Sequence, residues 1–379
     1  MSGLLLRHHL PYLPNGLPTK QTSFPYRPPT LRGHLKAALP APAISPTINR
    51  PMPQETAMSH PLPDRLTELF RQARVLVAGD VMLDRYWFGD VSRISPEAPV
   101  PVAKIGRIDQ RAGGAANVAR NIAALGGQAA LVSITGDDEA ADQLAKLMQA
   151  DGVDCHLQRD AGIATTVKLR VMARNQQLIR LDFEEIPACS TVDNVRDRFR
   201  SLLPDYDAVI LSDYGKGSLN RVADMIDCAR RAGKPVLIDP KGDDYEKYAG
   251  ATLLTPNRSE LREVAGSWRS EEELSDKAQT LRRHLQLQAL LLTRSEEGMS
   301  LFEAGHISHQ ATRAQEVYDV SGAGDTVIAT MGLGLAAGLD LQQAMHLANA
   351  AAGVVVAKLG TAVCQHNELL QALAREENG

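Results

Sequence analysis

Short apolar runs alternate with amphipathic helical patterns along the chain from Arg74 onward. Six runs consist of Val, Leu, Ile and Ala with only Ser133 and Thr252 as exceptions, at residues 75–78, 129–134, 208–211, 236–238, 252–254 and 290–292. Short continuous apolar runs are typical of strands that are buried on both faces of a parallel sheet. The pattern therefore predicts a mostly parallel sheet with helices on both sides.

Helical patterns fill the intervals between these runs. The sequence predicts helices over residues 115–125, 138–150 and 219–231, each followed by a Gly that suits a helix end. After Asp325 the chain reads as all helix, over 326–337, 341–358 and from about 367. The fold class is α/β, a doubly wound and mostly parallel sheet.

Two stretches interrupt the alternation. Residues 87–104 contain three prolines and predict irregular strand, whereas residues 165–182 alternate apolar and polar positions around a turn at 174–177. The alternation predicts a β-hairpin with one apolar face. We interpret both stretches as a small projecting sheet, the lid, built from residues 85–104 and 163–183. A hairpin that merely extends the main sheet is the alternative.

The first 63 residues differ in composition from the remainder. They hold 13 of the 21 prolines and show no helical or strand period, which predicts a disordered extension before a domain at 64–379. A transit peptide is a second interpretation, and a start codon assigned too early, with Met52 or Met58 as the true start, is a third. Residues 1–60 carry a formal charge of +5 and the remainder carries −9.

The charge, the cysteines and the apolar runs limit the class of function. An acidic body argues against general nucleic-acid binding. The four cysteines are widely spaced, which fits a reducing, cytoplasmic setting without a zinc site or a disulfide framework. No apolar run approaches the ~18 residues that a membrane span needs.

The most informative motif is Gly322-Ala323-Gly324-Asp325, which precedes an apolar helical run. Small residues let a ligand approach backbone N–H groups, and a helix N-terminus favours an anion. A carboxylate at the same place can remove a proton from a hydroxyl. The motif predicts phosphoryl transfer, although small-residue turns before helices are also common structural features.

Three further segments follow predicted strands or open predicted helices. Gly113-Gly114 with Asn117 suits a sugar site or a tight turn, and Asp84 suits sugar hydroxyls or a helix cap. The segment 257–260 suits a magnesium-bound water at Glu260, a capping box, or both. The segment 293–298 suits nucleotide phosphates or an exposed turn.

Taken in order, these motifs resemble those of the ribokinase-like carbohydrate kinase family over roughly residues 65–375. Three more segments, 93–102, 174–183 and 239–242, are similar to the branch of that family that phosphorylates heptose 7-phosphate at the anomeric 1-hydroxyl for ADP-heptose and lipopolysaccharide inner-core synthesis. In many members of this branch a nucleotidylyltransferase is fused to the kinase. This chain has no HxGH-type motif, so it resembles the stand-alone form.

The resemblance implies a role for each matched residue. It implies ATP and Mg²⁺ as cofactors, with a monovalent cation as an optional third, and a homodimer that forms through the lid. Asp325 is implied as the base, with the amides of Gly322, Ala323 and Gly324 on the phosphoryl group. The implied nucleotide residues are Asn257, Arg258, Ser259, Glu260 (through a water on Mg²⁺), Thr293, Arg294, Gly298 and Asn349. The implied sugar residues are Asp84, Gly113, Gly114 and Asn117.

The chemistry of a sugar phosphate adds cationic candidates, because a phosphate dianion needs charged donors. The candidates for the 7-phosphate are Arg93, Lys168, Arg170, Arg180 and Lys241, the last of which could reach an ATP phosphate instead. Two other functions stay open at this point. One is a kinase for a different sugar or sugar phosphate, and the other is a sugar-binding regulator without catalysis.

Overall fold

Two separate β-sheets form the framework of the protein. The structure, a computed structural model, describes residues 62–173, 176–312 and 317–377, all within one compact unit. The larger sheet has nine strands in the order β13-β12-β11-β10-β9-β8-β1-β4-β5. The pairs from β11 to β5 are parallel, and β12 and β13 add antiparallel at one edge.

The strands of the larger sheet include all six predicted apolar runs. Their bounds are β1 Arg74–Gly79, β4 Gln128–Gly136, β5 Asp154–Asp160, β8 Ala208–Ser212, β9 Val236–Asp239, β10 Leu253–Leu254, β11 Ala289–Thr293, β12 Met299–Glu303 and β13 His306–Gln310. β5, β12 and β13 do not follow from the apolar pattern. Each lies at or next to an edge of the sheet, where a strand does not need a continuous apolar run.

Ten α-helices are found in the described residues. Their bounds are α1 Leu62–Gln72, α2 Ala115–Ala124, α3 Glu139–Ala150, α4 Cys189–Leu202, α5 Val222–Arg231, α6 Arg258–Ala265, α7 Glu271–His284, α8 Ala323–Ala336, α9 Leu341–Val355 and α10 His366–Glu377. α5 begins three residues later than predicted. No helix in these described ranges is long and apolar enough to span a bilayer.

The core lies on both faces of the larger sheet. In β1, Val75 and Val77 pack in the cluster that contains residues of α2, α8 and α9, whereas Leu76 and Ala78 pack with α4 and α5. Successive side chains of a strand point to opposite faces, so a strand with apolar residues at every position can serve two helical layers. This arrangement is the predicted doubly wound fold.

The smaller sheet has the order β3-β2-β6-β7, with strands β2 Val81–Ile94, β3 Pro101–Gly114, β6 Val167–Ala173 and β7 Gln176–Phe183. It corresponds to the predicted lid, and the prediction of irregular strand over 87–104 is confirmed, because the register of β2 and β3 shifts at Phe88/Gly89 and at Val91/Arg93. β2 and β3 are long antiparallel strands, and two prolines, Pro96 and Pro99, lie between them. Proline lacks the N–H that a ladder needs, so these residues mark the connection rather than the whole segment.

Part of the sequence predictions falls outside the described residues. The proline-rich extension lies there up to residue 61, and so does half of the turn predicted at 174–177. β6 and β7 pair antiparallel, as the predicted hairpin requires. Helix α1 begins at Leu62, so the predicted domain boundary at residue 63 falls in its first turn.

Candidate functional site

The candidate site lies where the order of strands in the larger sheet reverses. β1 pairs with β4 on one side and with β8 on the other, so the loops that follow β1 and β8 leave in opposite directions. Open α/β sheets bind ligands at such a point, at the carboxyl ends of the strands. Tyr214, in the loop after β8, is bonded to the first turn of α8, so that helix begins at the same place.

Asp325 is the central residue of the site. Its carboxyl is buried in the first turn of α8 and accepts two hydrogen bonds, from the Tyr214 hydroxyl at 2.6 Å and from Asn117 Nδ2 at 2.8 Å. Burial raises its pKa to about 6, while the two donors and Lys168 act in the opposite direction. A carboxyl group with a pKa near 6 is mostly ionised at neutral pH, and it is a stronger proton acceptor than a carboxylate with an ordinary pKa.

Glycine is required at the turn that precedes α8. Gly322 has φ +81°, and a Cβ there would lie 2.8 Å from Asn117 Nδ2. The close approach lets Asn117, on α2, reach Asp325 across the start of the helix. The other polar side-chain atom of Asn117, Oδ1, is buried and has no hydrogen-bond partner among the described residues.

The amide groups of the Gly-Ala-Gly segment are not equivalent. The Ala323 N–H donates to the Val320 carbonyl at 3.2 Å. Its predicted contact with a phosphoryl group would have to replace or share this hydrogen bond. Gly324 is exposed, and a Cβ on it would meet no atom within 4 Å. Its open amide at the positive end of α8 is the best placed to receive an anion.

Asp84 and Gly113 lie on the paired strands β2 and β3 near the base of the smaller sheet, two positions apart in the register. Asp84 is buried and accepts a hydrogen bond from Arg170 Nη1 at 2.6 Å. A Cβ on Gly113 would lie 2.5 Å from Asp84 Oδ2, so any larger residue at position 113 would displace this carboxylate. Gly114 has φ +61°, and a Cβ there would lie 2.4 Å from the Asp80 carbonyl oxygen.

Lys168 is the cation of the lid that is best suited to an anion. It is half-buried, forms no ion pair with any described residue, and lies with Nζ 5.8 Å from the centroid of the Tyr214 ring. Burial lowers its pKa, with Asp84 and Asp182 opposing the effect. A phosphate that pairs with this lysine would replace the lost hydration.

The other cationic candidates are distributed differently. Arg170 is already paired with Asp84, and Arg180 is paired with Asp182 on the exposed strand β7. Arg93 lies at the far end of β2, nine residues from Asp84, which corresponds to roughly 30 Å along a strand. Arg180 lies opposite Arg170 in the pairing of β6 with β7. A role of Arg93 or Arg180 at the 7-phosphate stays a prediction.

The segment after β10 forms a capping box. The Asn257 side chain accepts from the amides of Ser259 and Glu260, and Glu260 Oε2 accepts from the Asn257 amide at 3.0 Å. Glu260 Oε1 lies 3.4 Å from Lys241 Nζ, so Lys241 belongs to this side of the site rather than to Asp84. The capping role leaves Glu260 Oε1 directed at Lys241.

Asp239, at the end of β9, was not among the predicted site residues. Burial raises its pKa well above the usual range, and the charges of Asp325 and Glu260 raise it further. The charges of Asp325 and Glu260 thus both oppose the ionisation of Asp239. A divalent cation bound to phosphates would offset this repulsion, and Mg²⁺ at Glu260 stays a prediction. No ready-made cluster of three metal-ligating side chains occurs in the described ranges.

Arg258 and Arg294 form a structural ion-pair network. Arg294 is buried and donates to both oxygens of Glu271 at 2.8 Å and to Glu297 at 2.5 Å, and Arg258 also pairs with Glu297. Their charges are therefore neutralised within the protein. The placement of Arg258 and Arg294 in the nucleotide site stays a prediction.

The remaining predicted nucleotide residues line the same side of the sheet. Thr293 forms an isolated parallel bridge with Asn257, and Asn349 donates from Nδ2 to the Ala311 carbonyl at 2.8 Å. Gly298 has φ +90°, and a Cβ there would lie 2.0 Å from the Gln310 carbonyl. Gly298 thus allows β12 and β13 to pair closely, whether or not a ligand binds.

Tyr214 and Asp80 are two further residues of the site that, like Asp239, were not among the predicted ones. Asp80 is buried and accepts from the amides of Tyr214, Lys216 and Ser218, each at 2.9 Å. These bonds fix the loop that carries Tyr214. The Gly215 and Gly217 positions directly after β8 were the available signal, since such loops lie at the ligand-binding edge.

The assembled site can transfer an anionic group to a hydroxyl. A buried proton acceptor lies beside an open helix N-terminus, Asp84 and Asn117 present polar atoms, and carboxylates with Lys241 lie on the other side. Positioning and electrostatic stabilisation are the principal contributions that a protein makes to phosphoryl transfer.

Comparisons with known proteins agree with this geometry. The model of the pfkB family carbohydrate kinases matches residues 72–368. The chain is 53% identical over 302 residues to the D-beta-D-heptose 7-phosphate kinase of Bordetella bronchiseptica, covering 80% of this chain and 96% of that protein. It is 56% identical over 306 residues to the bifunctional protein HldE of Chromohalobacter salexigens, where it covers 80% of this chain but spans only 64% of the relative.

Solved structures share the fold. Arabidopsis thaliana ribokinase complexed with ribose and ATP aligns with a TM-score of 0.64 at 20% identity, covering 79% of this chain and 98% of that one. Escherichia coli phosphofructokinase-2 aligns with a TM-score of 0.67 at 18% identity, covering 80% and 99%. The architecture, the motifs in their order and the matched length lead to one conclusion: the chain belongs to the pfkB family of carbohydrate kinases.

Proposed function

We propose that the chain catalyses the ATP-dependent phosphorylation of D-glycero-D-manno-heptose 7-phosphate at the anomeric 1-hydroxyl, giving heptose 1,7-bisphosphate for ADP-heptose and lipopolysaccharide inner-core synthesis. The buried Asp325 carboxyl at the N-terminus of α8 carries the reaction type. The 53% identity to a heptose 7-phosphate kinase across 96% of its length supports the substrate. An ATP-consuming reaction and four free cysteines support a cytoplasmic location.

The chemistry follows from the position of each group. Asp325 accepts the proton of the 1-hydroxyl while the oxygen of that hydroxyl attacks the γ-phosphorus of ATP. A bond forms between that oxygen and phosphorus, the bond from phosphorus to the β-γ bridging oxygen breaks, and ADP leaves. The Gly324 amide and the dipole of α8 stabilise charge on the phosphoryl group in transit. General-base help is worth ~10²–10⁴-fold.

The nucleotide side is proposed to use Asn257, Glu260, Lys241 and Asp239. Glu260 and Asp239 would hold Mg²⁺ through its water shell, which explains why these carboxyl groups lie close together without full neutralisation. Bound Mg²⁺ supplies charge neutralisation for the ATP phosphates. Lys241 lies 3.4 Å from Glu260 and can pair with a phosphate oxygen.

The 7-phosphate is proposed to bind Lys168, with Arg170 beside it. Lys168 lies next to the ring of Tyr214, whose hydroxyl is bonded to Asp325, so the sugar can extend from the base to the lid. Asp84 and the free Oδ1 of Asn117 would accept hydrogen bonds from sugar hydroxyls. Arg170 holds Asp84 in place for this purpose.

The test is a substrate panel with the purified full chain and Mg-ATP. We expect ADP release with heptose 7-phosphate, and a kcat/KM at least 10³-fold above that for ribose, fructose 6-phosphate and unphosphorylated heptose. ³¹P NMR should show a new anomeric phosphate. Asp325→Asn serves as the negative control. Comparable rates with ribose or fructose 6-phosphate would replace the proposed substrate by another sugar, and no ADP release with any sugar would favour a sugar-binding regulator.

A homodimer through the lid is a second part of the proposal. All eight residues of the edge strand β7 are exposed, and among them Leu178, Ile179, Leu181 and Phe183 are each at least 41% exposed. An unpaired edge with apolar side chains is a surface that a second copy can cover. Light scattering should give a dimer mass, and Ile179→Lys should shift it to the monomer. A monomeric parent chain at micromolar concentration would contradict this arrangement.

A further inference from the structure

We infer that Tyr214 is a positioning residue of this site, which orients the Asp325 carboxylate and keeps it in the ionised form that accepts a proton. The inference rests on the proposed function, in which Asp325 is the base. Its starting point is the 2.6 Å hydrogen bond from the Tyr214 hydroxyl to Asp325 Oδ1. None of the sequence motifs contains this tyrosine.

The loop that presents Tyr214 is held more firmly than an ordinary connection. The Asp80 carboxylate accepts from three of its amides, including that of Tyr214 itself at 2.9 Å, and Asp213 Oδ1 accepts from the Gly215 amide at 2.8 Å. The buried Asp80 carboxylate accepts the hydrogen bonds that these three N–H groups would otherwise donate to water. It therefore fixes the backbone of the loop that carries Tyr214. The Tyr214 hydroxyl is therefore directed at Asp325 in advance of substrate binding.

The two hydrogen bonds also fix the orientation of the Asp325 carboxylate. Tyr214 occupies Oδ1 and Asn117 occupies Oδ2, so rotation of the carboxylate would break both bonds. Each oxygen keeps a second lone pair for the sugar hydroxyl. The phenol is a suitable donor, because burial and the nearby Asp325 charge raise its pKa well above the usual value and the tyrosine keeps its own proton.

The charges that face Asp325 come from several elements. Asp84 on β2 opposes its ionisation, and Lys168 on β6 favours it. The Asp325 charge in turn raises the pKa of Asp239 on β9. Burial is the largest effect and also opposes ionisation. The Tyr214 hydrogen bond is thus one of few contributions that favour the carboxylate, so its removal should be measurable as a shift in the pH dependence of the reaction.

The experiment compares the pH profile of kcat/KM for the sugar in the parent chain and in Tyr214→Phe, at saturating Mg-ATP. We expect the acid limb to move to higher pH by on the order of one unit, with the loss of activity at pH 6 clearly greater than at pH 8.5. The phosphates of the substrates titrate near pH 6 as well. They are the same for both proteins, so a difference between the profiles belongs to the enzyme.

Two further variants test the assignment. Tyr248→Phe removes another buried hydroxyl, one that donates to Asp213 Oδ2 at 2.7 Å at the start of the same loop, and should leave the acid limb in place. Replacement of Tyr214 by 3-fluorotyrosine keeps the shape and makes the phenol a stronger donor, so the limb should move to lower pH. This variant also serves if Tyr214→Phe does not fold.

Each outcome has a separate meaning. A pH-independent fall in kcat/KM for Tyr214→Phe, or no shift with either replacement, would overturn the inference and leave Tyr214 as a structural residue. An equal shift in Tyr248→Phe would also overturn it, since loop disturbance alone would then suffice. If Asp325→Asn keeps near-normal turnover, the proposed function fails first, and the failure is recognised before any Tyr214 variant is measured.

Discussion

Replacement of Asp325 by Asn should stabilise the protein at neutral pH while it abolishes turnover. The folded protein raises the pKa of this buried carboxyl from its ordinary value near 3.8 to about 6. The folded state therefore holds the proton more tightly than the unfolded chain does. It follows that the free energy of unfolding contributed by Asp325 falls as the pH rises from about 4 to about 6.

The magnitude follows from the size of the shift. One unit of pKa corresponds to about 1.4 kcal/mol, so ionisation of Asp325 costs the fold on the order of 3 kcal/mol above pH 6. An Asn at this position carries no charge, and it keeps an oxygen for the Tyr214 hydroxyl. We expect the variant to gain ~1–3 kcal/mol at pH 8 relative to the parent chain, and to lose this gain at pH 4–5.

The assay is denaturant unfolding of both proteins at pH 4.5 and pH 8, with turnover measured in parallel. Asp276→Asn, on the exposed surface of α7, is the matched control and should show no pH-dependent gain. A variant whose stability relative to the parent is the same at both pH values would refute the reasoning, because it would mean that Asp325 is not held at a raised pKa.

Three other substitutions give distinct expectations. Lys168→Ala should raise the KM for heptose 7-phosphate at least tenfold and reduce the preference over unphosphorylated heptose; an unchanged preference in the steady-state assay would place the 7-phosphate elsewhere. Gly113→Ala would put a Cβ 2.5 Å from the Asp84 carboxylate and should lower kcat/KM at least tenfold, whereas Gly106→Ala, where a Cβ meets nothing within 4 Å, should be neutral in the same measurement. Arg294→Ala should cost about 2 kcal/mol in denaturant unfolding with little change in the KM for ATP, and the reverse pattern would return this arginine to the nucleotide site.

The fold was predictable where burial of a strand requires a continuous run of apolar residues in the sequence. Strands such as β1 and β8 are buried on both faces, so every position is apolar and the run is visible. β5 has the sequence DCHLQRD and lies at the edge of the sheet, where partial exposure permits polar residues. Nothing in its own sequence separates it from a loop, and only its pairing with β4 defines it.

The site was predictable where the backbone demands a particular residue. Gly322 and Gly113 leave a signature because no side chain fits beside Asn117 or Asp84. Tyr214 has no such signature beyond the two glycines that follow it, since its hydrogen bond to Asp325 joins residues 111 positions apart and depends on the completed sheet. The charge of Arg294 was visible in the sequence, but its neutralisation by Glu297 of the same segment and by Glu271 of α7 was not.

A single residue, Asp80, separates the last position of β1 from the first position of β2. The lid is therefore continuous with the central strand of the larger sheet, and Asp80 occupies the natural pivot between the two. The same residue anchors the loop that carries Tyr214, the hydrogen-bond donor to Asp325. Movement of the lid over a bound sugar would thus act on the residue that also holds this loop, so that closure of the lid and the position of the proton acceptor depend on one shared anchor.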